Sequence, residues 1–168
     1  MSKGATQELR GPHLAPDTVL LRLVWDSDDL DPATREISTS AFAKRDLQGI
    51  DNGLSVDREQ LAIKSVILHL ANRQQAKAQG NSQLNRTEAL LAKVVARDIC
   101  SQFFEEDEQQ MFAVISTPIA ATETEPENPA HAEIINISGR AKKSDINMFR
   151  LRLQPLFTIP LPVDEVLA

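Results

Sequence analysis

Two periods of apolar residues run through this chain, and the places where one gives way to the other outline its elements. Thr18 to Trp25 is β-branched and almost continuously apolar, which predicts a strand buried on both faces with Arg22 as the exception. Asp26 to Pro32 reads as an acidic loop, and Ser38 to Ala43 as a short element of open type. Asp51-Asn52-Gly53 predicts a tight turn, because Asn-Gly tolerates positive φ angles. The pattern then turns helical. Ile63, Val66, Ile67 and Leu70 form a stripe at i, i+3, i+4 and i+7, with Asp57 as the expected N-cap and Gln60 completing a capping box. Leu61 and Leu68 fall on the far side of that helix, where a partner could cover them.

Asn85 and Glu88 repeat the capping pattern and predict a second helix that buries Leu91, Val94, Val95 and Ile99. Met111 to Thr117 and Ala132 to Ser138 read as strands, separated by a long connection holding Pro118, Pro126 and Pro129. Ser144 to Leu153 fits a helix with Ile146, Phe149 and Leu153 inward, and fits a strand by its Phe149 to Leu153 alternation; both stay open. Pro155, Pro160 and Pro162 imply an extended C-terminus, and polar Met1 to Pro16 a flexible lead-in. The order is mixed rather than a regular βαβ alternation. It predicts an α+β fold: a single compact domain over 17–168, with a small mixed or antiparallel sheet packed on two main helices.

Composition narrows the function classes. With 168 residues, 42% hydrophobic and 25% charged, the chain can bury an ordinary core without metal or disulfide staples. A formal charge of −6 and a pI near 5.1 argue against phosphate-backbone binding, although Arg140, Lys142, Lys143, Arg150 and Arg152 form a local basic run. Six phenylalanines, Trp25 and no tyrosine are too few for a base-stacking platform. Nucleic acid is therefore not an expected partner. Cys100 is the one cysteine, which excludes internal disulfides and cysteine-rich zinc sites and reads as a small buried hydrophobe. No secretory leader is evident at the N-terminus, and no apolar run approaches the ~20 residues of a membrane span, so a soluble cytoplasmic protein is expected.

The chemistry concentrates in two segments. Pro129-Ala130-His131-Ala132-Glu133-Ile134 resembles the His-x-Glu half of the zinc-dependent deaminase signature. The resemblance implies a zinc-ligating His131 and a proton-shuttling Glu133. That family takes two further ligands from a downstream Pro-Cys-x-x-Cys, and no cysteine follows Glu133, so neither metal nor cofactor is expected. On a strand, His131 and Glu133 instead share one face, as general acid/base work would need. The second segment is Gly53 to Arg58, where Asp57 caps the expected helix and Arg58 is left without structural duty, free for an anion or a partner. Together, residues 53–58 and 128–132 resemble segments of small uncharacterised bacterial proteins, which implies a bacterial source and no mechanism. His69 reads as a boundary residue and His13 as part of the tail. Phosphate-loop, dinucleotide, nucleophile-elbow and zincin motifs are all absent.

Two functions lead the expectations, ahead of a regulatory module touching nucleic acid through Arg140 to Arg152. One is an accessory protein that works through a protein partner or self-association, using Leu61 and Leu68. The other is a small hydrolase or transferase whose site gathers His131, Glu133, Asp57 and Arg58.

Overall fold

The computed structural model describes residues 8–79 and 88–168. Strands β1 (Val19–Trp25), β2 (Leu54–Arg58), β3 (Ala89–Val95), β4 (Phe112–Ser116), β5 (His131–Asn136) and β6 (Leu161–Pro162) form one antiparallel sheet in the order β4-β5-β2-β1-β3-β6. Helices α1 (Lys64–Gln79), α2 (Ala96–Cys100), α3 (Lys143–Leu153) and α4 (Val163–Val166) complete an α+β fold. None of the helices is long and apolar enough to cross a membrane among the described residues.

The two helices expected from capping patterns are displaced. Asp57 caps nothing: it is a strand residue, paired with Leu21 of β1 on one side and His131 of β5 on the other. A short 3-10 turn over Glu59–Leu61 follows it, and α1 starts only at Lys64. Leu54 and Val56 alternate with Ser55 and Asp57 at a strand period, and the ladder on both sides outweighs a local cap. Leu91, Val94 and Val95 likewise lie on β3, not on a helix, and Ile99 is on α2. All seven residues of β3 pair with all seven of β1, from Val19 opposite Val95 to Trp25 opposite Ala89. A short apolar run buried on both faces has no period of its own, so pairing decides its form. Asn85, the expected cap of that helix, lies outside the described residues. The segment 144–153 resolves as helix, with Ile146, Phe149 and Leu153 buried.

The main core lies on one face of the sheet. There Phe149 of α3 meets Phe104 and Phe112 edge-on, and Phe42 packs on Phe157. The other face is covered at its two ends only. Ile67 of α1 packs on Leu21, Leu91 and Val163 at the β1–β3 end, while Ala113, Ile115 and Ile135 form a separate patch with Leu9 and Ile50 at the β4–β5 end. Between them the polar positions of β2 and β5 stay uncovered by helix, and this gap is where the candidate site lies.

The described part of the N-terminal segment is tied along β4 rather than loose: the Leu14 amide donates to Val114 O and the Ser116 amide to Pro12 O. Gly11 permits this, since a Cβ there would stand 1.9 Å from Ser116 O. The Asn52-Gly53 turn is present as a bridge between Gly49 and Asn52, yet Gly53 has no positive φ. Its requirement is space: an added Cβ would lie 2.7 Å from Ile135 Cγ2 and 2.9 Å from Glu133 Cβ.

Candidate functional site

The pairing of β2 with β5 sets Ser55 opposite Glu133 and Asp57 opposite His131. Directly opposed residues of an antiparallel pair share a face, so four polar side chains gather on the uncovered part of the sheet. Beside them lies a groove of about 660 Å³ bounded by α1, by residues 40–46 and by the connection between β4 and β5. Ser55, Asp57 and His131 line the groove.

His131 is held at both ring nitrogens. Nδ1 stands 2.8 Å from Thr117 O and 3.0 Å from Thr117 Oγ1. A carbonyl oxygen can only accept, so Nδ1 carries a proton. With Nδ1 protonated, the uncharged form of the ring has the lone pair of Nε2 toward Ser55 Oγ, 3.2 Å away. This is a hydroxyl on a base whose tautomer is fixed by a third group, the geometry by which an activated serine is recognised.

Asp57 is buried beside them and accepts from Asn128 Nδ2 at 2.8 Å. Burial pushes its carboxyl pKa up, against the lowering effects of the Asn128 bond and of His131. Asn128 is itself fixed by two backbone hydrogen bonds with Ile119, which close the long connection into a hairpin-like loop. The tip of that loop docks on α1, where Glu125 takes His69 Nε2 at 3.0 Å and Arg73 NH1 at 2.9 Å. The proline-rich connection is thus one wall of the groove.

Glu133 has a different duty. Arg10 grips it with two hydrogen bonds of 2.9 and 2.7 Å. Burial would raise its pKa, but the bonds from Arg10 and Thr117 and the charges of Arg10 and His131 outweigh burial, and the net shift is downward. Glu133 anchors the N-terminal segment and does not line the groove. Arg58 is not brought into the site. Strand alternation turns it to the face opposite Asp57, where its NH2 donates to Pro129 O at 3.0 Å and its side chain borders a second cavity, near His13 and Leu61. Leu61 and Leu68 are 43% and 38% exposed, Leu61 on the 3-10 turn and Leu68 on α1.

Sequence reasoning passed over three contributors. Ser55 was legible only as the residue two before Asp57, which puts the two on one face once the segment is known to be a strand. Thr117 and Arg22 gave weaker signals. The β1–β2 ladder holds only two pairs, Leu20 with Arg58 and Leu21 with Asp57. Beyond them the strands part, and the Arg22 guanidinium enters the split, donating to Ser55 O at 2.7 Å and to Ala41 O at 2.7 Å. It thereby satisfies a strand carbonyl that the neighbouring strand leaves open.

No cluster of three or more His, Cys, Asp or Glu able to hold a metal ion exists among the described residues. Compared with known proteins, the chain matches no family model, no curated sequence and no solved structure.

Proposed function

We propose that the groove is the active site of a small hydrolase or group transferase, with Ser55 as nucleophile and His131 as general base. The observation that carries this reading is the chain from Ser55 Oγ to His131 Nε2, and from Nδ1 to Thr117 O. In the forward step, Ser55 Oγ would bond to the electrophilic centre of an ester-type substrate while its proton passes to Nε2. The same proton then leaves with the departing alkoxide as the ester bond breaks. Water, or a second acceptor, would reverse the sequence and free Ser55. Asp57, next to the ring and in register with it, would favour the imidazolium that forms in between. Arg22, already bonded to the carbonyl of Ser55, supplies a cationic donor beside the developing oxyanion.

The test is covalent labelling by a fluorophosphonate probe, followed by peptide mapping. Ser55 should be labelled in the wild type, and His131→Asn should slow labelling by about 10²-fold or more, the usual weight of a general base. A wild-type protein that resists the probe and cleaves no activated ester would overturn the proposal.

A second reading, an accessory protein that self-associates or holds a partner subunit, is favoured by one observation: Leu61, Ile63 and Leu68 lie exposed around the start of α1. Soluble monomers seldom leave large apolar side chains clustered in water.

A further inference from the structure

Arg22 and Arg58 differ from the arginines held in ion pairs, each having backbone carbonyl oxygen for a partner and a buried Nε left over. Arg10, Arg35, Arg73 and Arg140 each meet a carboxylate within ion-pair distance. Arg22 meets none among the described residues. Its partners are two backbone carbonyls, and its Nε is buried with no hydrogen-bond partner at all. Carbonyl oxygens solvate a guanidinium but do not pair its charge, and a cation withdrawn from water without a contacting anion is costly to keep. Burial accordingly draws its pKa down, while the charges of Asp29 and Asp46 oppose that. Of Arg22 and Arg58, Arg22 borders the groove that Ser55 and His131 line, and an arginine placed there with donors to spare is arranged for an anion that arrives from outside.

We propose that the groove binds a phosphorylated small molecule, its phosphate seated on Arg22 beside Ser55. This rests on the reading of the groove as an active site and names its substrate class. The guanidinium is a planar fork, suited to two oxygens of one anion. Arg45 and Lys77 also line the groove, Arg45 being 85% exposed in its side chain and reaching Asp46 only at 3.9 Å, while Arg73 is held by Glu125 and the carboxylates of Asp29, Asp46 and Asp57 share the same walls. A dianion draws on several cations at once, which favours phosphate over a carboxylate. Leu23, Trp25 and Leu70 supply apolar wall for the remainder of the molecule, and the volume is that of a site for a drug-sized ligand, about 300–1,000 Å³.

The experiment is a titration of the wild-type protein, followed by NMR, with inorganic phosphate, glycerol 3-phosphate and succinate in turn. Phosphate and glycerol 3-phosphate should saturate and shift the Arg22 Nε–H signal together with the amides of Ser40 and Ser55. Succinate should bind at least tenfold more weakly. Arg22→Lys, which keeps the charge and loses the fork, should weaken glycerol 3-phosphate at least tenfold. Because the wild-type Nε–H signal is itself the readout, a variant that fails to fold does not blunt the test. No saturable shift, or succinate binding as tightly as phosphate, overturns the assignment. Fluorophosphonate labelling of Ser55 is scored separately. Labelling without phosphate binding keeps the proposed chemistry and overturns this inference, whereas phosphate binding at Arg22 without labelling upholds the anion site and overturns the nucleophile.

Discussion

Glu133 and Asp57 are buried carboxylates on the same face of the sheet; burial raises the pKa of both and their neighbours lower it, but the balance falls on opposite sides. Glu133 has a clamping guanidinium and is held below its ordinary range; Asp57 has only an amide and an imidazole to offset burial, and burial pushes it above. For Glu133 the depressed value means stability that is present above its unfolded pKa and lost as pH falls through the folded one. For Asp57 the sign reverses: the folded state prefers the protonated form, so its contribution falls as pH rises past the unfolded value. Replacing Arg10 by Met isolates the first effect. At neutral pH R10M should unfold with about 1 kcal/mol less stability, discounted because the Arg10 side chain is 40% exposed. The difference from wild type should vanish as pH drops below the normal carboxylate range. Urea unfolding at pH 7 and at pH 3 measures both, and a penalty that persists unchanged in acid would refute the assignment of Glu133. The same comparison explains why the His131-Ala132-Glu133 pair was only half legible. Spacing alone puts both side chains on one face, but which of the two is free for chemistry depends on Arg10, over a hundred residues away in sequence.

At the scale of elements, the site depends on two contacts that leave little room. One is the crossing of Gly53 over β5, where an added methyl would meet Ile135 and Glu133 below 3.0 Å. Gly53→Ala should therefore force β2 away from β5 and cost about 1–3 kcal/mol, the range for overpacked positions, despite the lower backbone entropy of alanine in the unfolded chain. Chemical denaturation reads the loss. Since Ser55 and His131 sit on these two strands, their 3.2 Å approach should lengthen in the same variant. Were G53A as stable as wild type, the close approach would not be a constraint. The other contact is the docking of the β4–β5 connection on α1 through Glu125, His69 and Arg73. A Pro-rich connection was evident from the sequence; that its tip would reach α1 and wall a groove was not, because no local pattern marks a long-range ion pair.

On the scale of the whole molecule, the sheet is covered fully on one face and only at its ends on the other. That asymmetry leaves both the groove and the exposed leucines beside α1. If Leu61 and Leu68 mediate self-association, sedimentation equilibrium should show a concentration-dependent dimer that Leu61→Ser with Leu68→Ser converts to monomer. Equal masses for wild type and double variant at every concentration would remove that reading and leave the groove as the functional surface.

By itself the sequence determined the class of object: an α+β chain with strands at 18–25, 111–117 and 132–138, and with His131 and Glu133 on one face. Those outcomes follow from local rules, since alternation and β-branching act over a few residues. Tertiary structure decided the form of 54–58 and 89–95. Both carry patterns that a helix could use, and seven paired residues between β1 and β3 outweigh a cap worth about 1 kcal/mol. It also decided who meets whom. Ser55 reaches His131 because β2 and β5 pair in one particular register, a shift of a single residue turning every side chain to the other face. Arg22 enters the groove because β1 and β2 part after two pairs. Register and splaying are set by the packing of the whole sheet, and no window of the sequence contains them.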